Sequence, residues 1–272
     1  VIGGLVLKLA CALHFARLDY PKAVNLAAEA GFCGLEVSPW LPRRLSDTDI
    51  SRLKTLLRKK GLEFSGFTSI YPPEMILAAP SATARRRSIT YTKRLIELAH
   101  DLNGMTLVWG SPRSRNIPLG VSYEKGYRWL VELLRTSGAL ADRRGVSIAI
   151  EPINRFESTI IHNAKQALSL SKLVNHKSVG IVYDIFHASL EEESLTEPIF
   201  LAGKRLVAVH VSDCNRKIPG KGHLDFRPVF SALKRVGYNG FVTLESTLGR
   251  YAKNELVAAR KCLEKSILKA DA

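Results

Sequence analysis

Nothing in this chain is apolar for long enough to cross a bilayer. Its longest hydrophobic stretches, such as Val146 to Ile150 and Leu206 to Val209, stop far short of the ~20 residues a spanning helix needs. The stretch Val1 to Ala12 is apolar, but no basic segment precedes it and Lys8 interrupts it. That suits a first core strand better than a secretory signal. Cysteine is scarce: Cys11, Cys33, Cys214 and Cys262 lie far apart and form no CxxC pair. Neither a disulfide framework nor a thiolate zinc site is indicated, and a reducing cytoplasm is the expected setting. No GxGxxG or Walker loop occurs, which argues against dinucleotide and nucleoside-triphosphate chemistry.

Acidic charge is also in short supply. Forty Lys and Arg face 25 Asp and Glu, a formal net charge of +15, and such an excess attracts nucleic acid, anionic membranes or phosphorylated substrates. The basic residues are scattered in short groups (Arg43-Arg44, Lys59-Lys60 with Arg58 before it, Arg143-Arg144), with Arg85-Arg86-Arg87 the only run of three arginines. This is the distribution of a solvated basic surface, so neither a nucleic-acid nor a membrane partner is expected.

What is present is a repeated alternation. Runs of strand length recur at Leu7 to Leu13, Gly34 to Ser38, Glu63 to Phe67, Thr106 to Trp109, Ser147 to Glu151, Gly180 to Asp184, Leu206 to Val211 and Phe241 to Glu245. Between and after them lie amphipathic helical stretches: Pro21 to Ala30, Asp47 to Lys60, Arg85 to Leu102, Tyr123 to Arg144, Ala164 to Asn175, Leu195 to Ala202, Pro228 to Val236 and Lys253 to Leu268. Ser46 is placed to cap the second helix. Gly31, Gly61, Gly145 and Gly237 follow helix ends where a left-handed residue is wanted, and Pro21 and Pro228 suit first turns. Eight βα units without a composition break predict one α/β domain over residues 1–272, a single (β/α)8 TIM barrel, a fold that typically takes about 250 residues.

Four polar residues end consecutive strands: Glu151, Asp184, His210 and Glu245, separated by 33, 26 and 35 residues. In a barrel they face one mouth, at the C-terminal ends of strands five to eight. Three converging carboxylates repel one another unless a cation joins them, so the pattern predicts one divalent metal. The oxygen-rich ligand set suits Mn2+, Mg2+ or Co2+, and ligand type alone leaves Zn2+ open. Glu157, His187 and Arg216 sit on the loops that follow and are candidate substrate contacts. His223, in Pro219-Gly-Lys-Gly-His-Leu-Asp, is a candidate loop cap.

The strings Glu151-Pro-Ile-Asn-Arg-Phe-Glu157, Tyr183-Asp-Ile-Phe-His187, His210-Val-Ser-Asp-Cys-Asn-Arg216, Pro219-Gly-Lys-Gly-His223 and Gly237-Tyr-Asn-Gly-Phe-Val-Thr-Leu-Glu245 resemble the ketose 3-epimerases that act on D-tagatose and D-psicose (allulose), members of the xylose-isomerase-like barrel superfamily. The likeness is specific in the C-terminal half and looser before it, through Leu35-Glu36-Val37-Ser38. It implies a metal held by Glu151, Asp184, His210 and Glu245, with Mn2+ the leading expectation. It further implies that Glu151 and Glu245 are the acid/base pair, that Glu157, His187 and Arg216 hold the reactive end of a free ketose, and that the reaction inverts C3 through a cis-enediolate. A homodimer or homotetramer is the implied assembly. Thr68-Ser-Ile-Tyr-Pro and Val108-Trp-Gly-Ser-Pro-Arg-Ser-Arg115 depart from the family pattern. Arg113 and Arg115 there are read either as solvated charges or as contacts to a substrate phosphate or carboxylate.

Rival readings share the fold. Aldose-ketose isomerisation, hydroxypyruvate isomerisation and inosose dehydration use the same metal and enolisation step. Endonuclease IV needs extra histidines after strands three and four, where this chain has none, and an Asp-x-His pair that Gly222-His223-Leu224-Asp225 does not supply. A catalytically idle binding barrel predicts lost ligands, and none is lost.

Overall fold

The computed structural model describes residues 7–13, 18–40, 44–250 and 252–271. Val1 to Val6, within the stretch weighed above as signal or strand, as well as His14 and Arg43, lie outside the described residues. Eight parallel strands close into a ring in which each pairs with its neighbours in chain order and β1 pairs with β8. They are β1 Lys8–Ala12, β2 Gly34–Val37, β3 Glu63–Phe67, β4 Thr106–Trp109, β5 Ser147–Ile150, β6 Val179–Asp184, β7 Leu206–Val211 and β8 Phe241–Leu244. The helices are α1 Tyr20–Glu29, α2 Asp47–Lys60, α3 Ala82–Asp101, α4 Pro112–Arg115, α5 Tyr123–Arg144, α6 Ala164–Val174, α7 Ile185–Glu191, α8 Glu197–Ala202, α9 Arg227–Arg235 and α10 Ala252–Leu268. The barrel expectation is met.

The local signals act as anticipated. Ser46 forms a capping box with Asp49, and Gly61 closes α2 at φ +68. Gly31, Gly145 and Gly237 have positive φ, and prolines open α1 and α9. Most boundaries move by about a residue, and three departures bear on the site or its neighbours. Helix α3 begins at Ala82, ahead of the arginines, because the Ser81 side chain accepts from the Ala84 N–H. The stretch expected to hold one helix at Leu195 to Ala202 holds α8, and α7 precedes it directly after β6. Strands β5 and β8 stop at Ile150 and Leu244, so Glu151 and Glu245 stand one residue beyond their ladders.

Alternation along each strand builds the site's foundation. Leu107, Trp109, Ile148, Ile150, Val209, Val211, Val242 and Leu244 belong to the main core that packs beneath the helices. The opposite face presents small side chains, and Val108, Ala149, Val182 and Ala208 form a separate buried cluster. Two residues further along the same face come Gly110, Glu151, Asp184 and His210. A floor of methyl-bearing side chains thus lies directly below the polar layer.

Candidate metal centre

Glu151, Asp184, His210 and Glu245 are all buried, and one ligand atom from each lies within 4.8 Å of the others. The barrel brings them together because their strands are neighbours and Asp184 and His210 stand in register. Asp184 also caps α7. Its Oδ1 accepts from the N–H groups of Phe186 at 2.7 Å and His187 at 3.1 Å, which orients the carboxylate. The imidazole of His210 turns Nδ1 toward Glu245 Oε2 at 3.2 Å and Glu151 Oε1 at 3.6 Å. Glu151 Oε1 is buried without a hydrogen-bond partner, an expense a protein rarely carries without a ligand to meet it.

The electrostatics ask for positive charge. Burial would make His210 harder to protonate, but Glu36, Glu245 and Glu151 outweigh it and raise the pKa well above the ordinary value. Arg216 is raised too, since Asp184, Glu245 and Glu151 overcome its own desolvation. Three carboxylates and one imidazole nitrogen within a few ångströms fit a divalent ion, which satisfies all of them at once.

Arg216 joins this cluster. Its Nη1 donates to Asp184 Oδ2 at 2.9 Å and its Nη2 to Glu245 Oε2 at 2.8 Å, with the guanidinium 4.7 Å from the Phe186 ring centroid. The loop that carries it is tightly built. Arg216 has φ +60, its N–H donates to the Asp213 carbonyl, and its own carbonyl accepts from Thr247. The buried carboxylate of Asp213 accepts from the N–H groups of Cys214, Gly220 and Leu224. Asp213, and not the exposed His223, organises this turn.

His187 and Glu157 meet each other through Asn154. The amide oxygen of Asn154 accepts from Phe156 N–H at 3.0 Å, which fixes the amide's orientation. Its Nδ2 then donates to Glu157 Oε1 at 2.9 Å and to His187 Nδ1 at 2.8 Å. With Nδ1 accepting, a neutral His187 carries its proton on Nε2. His187 is buried and Glu157 exposed.

Three residues that carry the site were not singled out from sequence for the roles they play. Glu36 on β2 is buried against the far nitrogen of His210 at 3.1 Å. Gly110 gives Glu151 its space, since a Cβ there would lie 2.0 Å from Glu151 Oε2. Arg115 is neither solvated nor open to a substrate anion. It is 0% exposed, and its fork donates to the carbonyls of Trp109, Glu151, Ile160 and Ile161 and to Ser158 Oγ, which straps the β5–α6 loop to the end of β4. Burial lowers its pKa to about 10, with Glu151 acting in the other direction. Arg113 is exposed.

The ring, the mouth and the cluster define a class. Residues 24–265 match the model of the xylose isomerase-like TIM barrel family, and the chain belongs to that family. Within it, the chain is 31% identical over 235 residues to the D-psicose 3-epimerase of Ruminiclostridium cellulolyticum, covering 84% of this chain and 78% of the relative. It is 26% identical to the L-ribulose 3-epimerase of a Methylomonas species, covering 83% and 77%. A solved L-ribulose 3-epimerase superposes with a TM-score of 0.86 over 98% of this chain and 96% of that one at 20% identity, a likeness of fold.

Proposed function

We propose that this protein is a divalent-metal-dependent ketose 3-epimerase that acts on a free ketose of the D-tagatose, D-psicose or L-ribulose type. The observation that carries the reading is the convergence of Glu151 and Glu245, buried carboxylates from β5 and β8, on the same cluster with Asp184 and His210. The kinship with named ketose 3-epimerases supports it.

Inverting C3 beside a C2 ketone needs one base to take the C3 proton and an acid on the other face to return one. Glu151 and Glu245 are the pair, and the substrate's configuration decides which acts first. Mn2+ is the favoured ion, with Co2+ or Mg2+ as substitutes, and when bound it supplies Lewis-acid stabilisation of the negative charge that develops at O2. His210 and Asp184 complete its ligands. Arg216, now paired with Asp184 and Glu245, is poised to place a positive charge beside the developing oxyanion. His187, with its Nδ1 occupied by Asn154, offers Nε2–H to a substrate oxygen, and Glu157 at the rim accepts from a sugar hydroxyl. The apolar floor keeps water from beneath the reacting carbons. A homodimer or homotetramer in the cytoplasm is the accompanying expectation, with no nucleic-acid or membrane partner.

The test is to strip the protein with EDTA, restore Mn2+, and follow fructose, psicose, tagatose, sorbose, ribulose and xylulose by chromatography. C3 epimers that require Mn2+ and vanish in Glu245→Gln support the reading. Intact free ketoses alongside demonstrable metal binding would overturn it, and phosphorylated sugars, hydroxypyruvate and inosose would be the next substrates to try.

A further inference from the structure

We infer that Glu36, with Thr243 behind it, is a positioning residue that fixes His210 as an Nδ1 ligand and raises the metal affinity of the site. The inference rests on the proposed function only in taking His210 as a metal ligand.

Glu36 is 1% exposed and Thr243 is 1% exposed, so this carboxylate sits where charge is costly unless something is gained by it. Its Oε2 lies 3.1 Å from His210 Nε2, and its Oε1 accepts from Thr243 Oγ1 at 2.9 Å. Both oxygens are held, so the carboxylate cannot swing in to become a fifth ligand. It reaches only the imidazole nitrogen that faces away from Glu151, Asp184 and Glu245.

The consequence for His210 is specific. A carboxylate at Nε2 demands a proton there, which leaves Nδ1 with its lone pair aimed into the cluster once the ring is neutral. A charged acceptor also draws the Nε2 proton outward and enriches the ring, making Nδ1 a stronger donor to a cation. Outer partners of this kind commonly contribute about 10- to 100-fold in metal affinity. Strands β2, β7 and β8 each supply one member, so the device is set up by closure of the barrel.

Glu36→Gln isolates the charge. The amide can still accept from His210 and donate to Thr243, so the ring stays held while the negative charge is gone. Titration of the EDTA-treated protein with MnCl2, followed by the EPR signal of free Mn2+, should show one tight site in the wild type and about a 10- to 100-fold weaker one in Glu36→Gln. With saturating Mn2+, kcat should fall by less than the affinity does, whereas no Mn2+ concentration should restore Glu245→Gln. An unchanged Mn2+ affinity in Glu36→Gln, with or without a lower melting temperature of the metal-free protein, overturns the inference while leaving the epimerase reading intact. A wild type that binds no Mn2+ ends both. If Glu36→Gln does not fold, Thr243→Val serves instead. It keeps the charge but frees the carboxylate, and should weaken Mn2+ binding by a smaller factor; an unchanged affinity there counts against the inference.

Discussion

Replacing Gly110 with alanine tests the geometry of the centre with a single methyl group. The position follows β4 and has no positive φ, so alanine meets no backbone strain. What it meets is Glu151, because a Cβ would lie 2.0 Å from Oε2 and 3.3 Å from Cδ. Separations below 3.0 Å are essentially never seen for a real Cβ, so the carboxylate must retreat by about 1 Å or more, a displacement large enough to matter at a reacting centre. Retreat is restricted because Glu151 is 6% exposed and Arg115 grips its carbonyl. A misplacement of about 1 Å costs on the order of 100-fold in rate, or about 2.7 kcal/mol of transition-state stabilisation. The assay is kcat/KM for C3 epimerisation at saturating Mn2+, with circular dichroism and a melting curve to show an intact barrel. Activity within about threefold of wild type in a folded Gly110→Ala protein would refute the assignment of Glu151 to the reacting centre, since a group that can move aside without loss is not placed by the site.

Other outcomes follow from the same structure. Glu151→Gln and Glu245→Gln should each lower kcat by about 10²- to 10⁴-fold, the usual worth of a general acid or base, measured at saturating Mn2+ to separate chemistry from metal loss. Arg115→Met should destabilise the protein by about 2–4 kcal/mol in urea unfolding, since several buried acceptors lose their donor; Arg115→Lys, which has three donors and no fork, should recover little of it. Ser46→Ala should cost about 1 kcal/mol through the α2 cap and leave kcat unchanged. Burial alone would raise the Asp213 carboxyl, but the N–H groups of Leu224, Cys214, Gly222 and Gly220 hold it below the ordinary carboxylate range. Its stabilisation is therefore complete above the unfolded carboxylate pKa and is lost as the pH falls through the folded value. Relative to the intrinsic exchange rate at each pH, the protection of the Gly220 and Leu224 amides should fall in acid in the wild type and change much less with pH in Asp213→Asn.

The strands were legible because apolar runs bounded by helices survive as a pattern whatever the barrel does with them. The four residues ending β5 to β8 were legible for a related reason, since a charge closing an apolar run is conspicuous. Helix α7 was not, because its N-cap is Asp184, a residue already read for another purpose, and seven residues carry too little periodicity to show. Arg115 read as a loop charge because most of its acceptors are backbone carbonyls, which leave no trace in side-chain identity. Glu36 sits inside Leu-Glu-Val, an ordinary strand alternation, and its partners are 174 and 207 residues away. Gly110 needs its missing side chain only because of where Glu151 ends up.

Those long separations bear on how the protein assembles. The contacts of Glu36 on β2 with β7 and β8 join residues 174 and 207 apart, so the chain entropy of closing a long loop is lost before they offset it. The stretch from β5 to the residue after β8 holds all four ligands, but the strand that steadies His210 is in place only when β1 seats between β8 and β2 and the ring closes. A cation that prefers the finished arrangement stabilises the closed barrel over any open intermediate by mass action. The ion would then be a clasp on the seam as well as a reagent, and its loss should be felt first as faster opening between the ends of the chain.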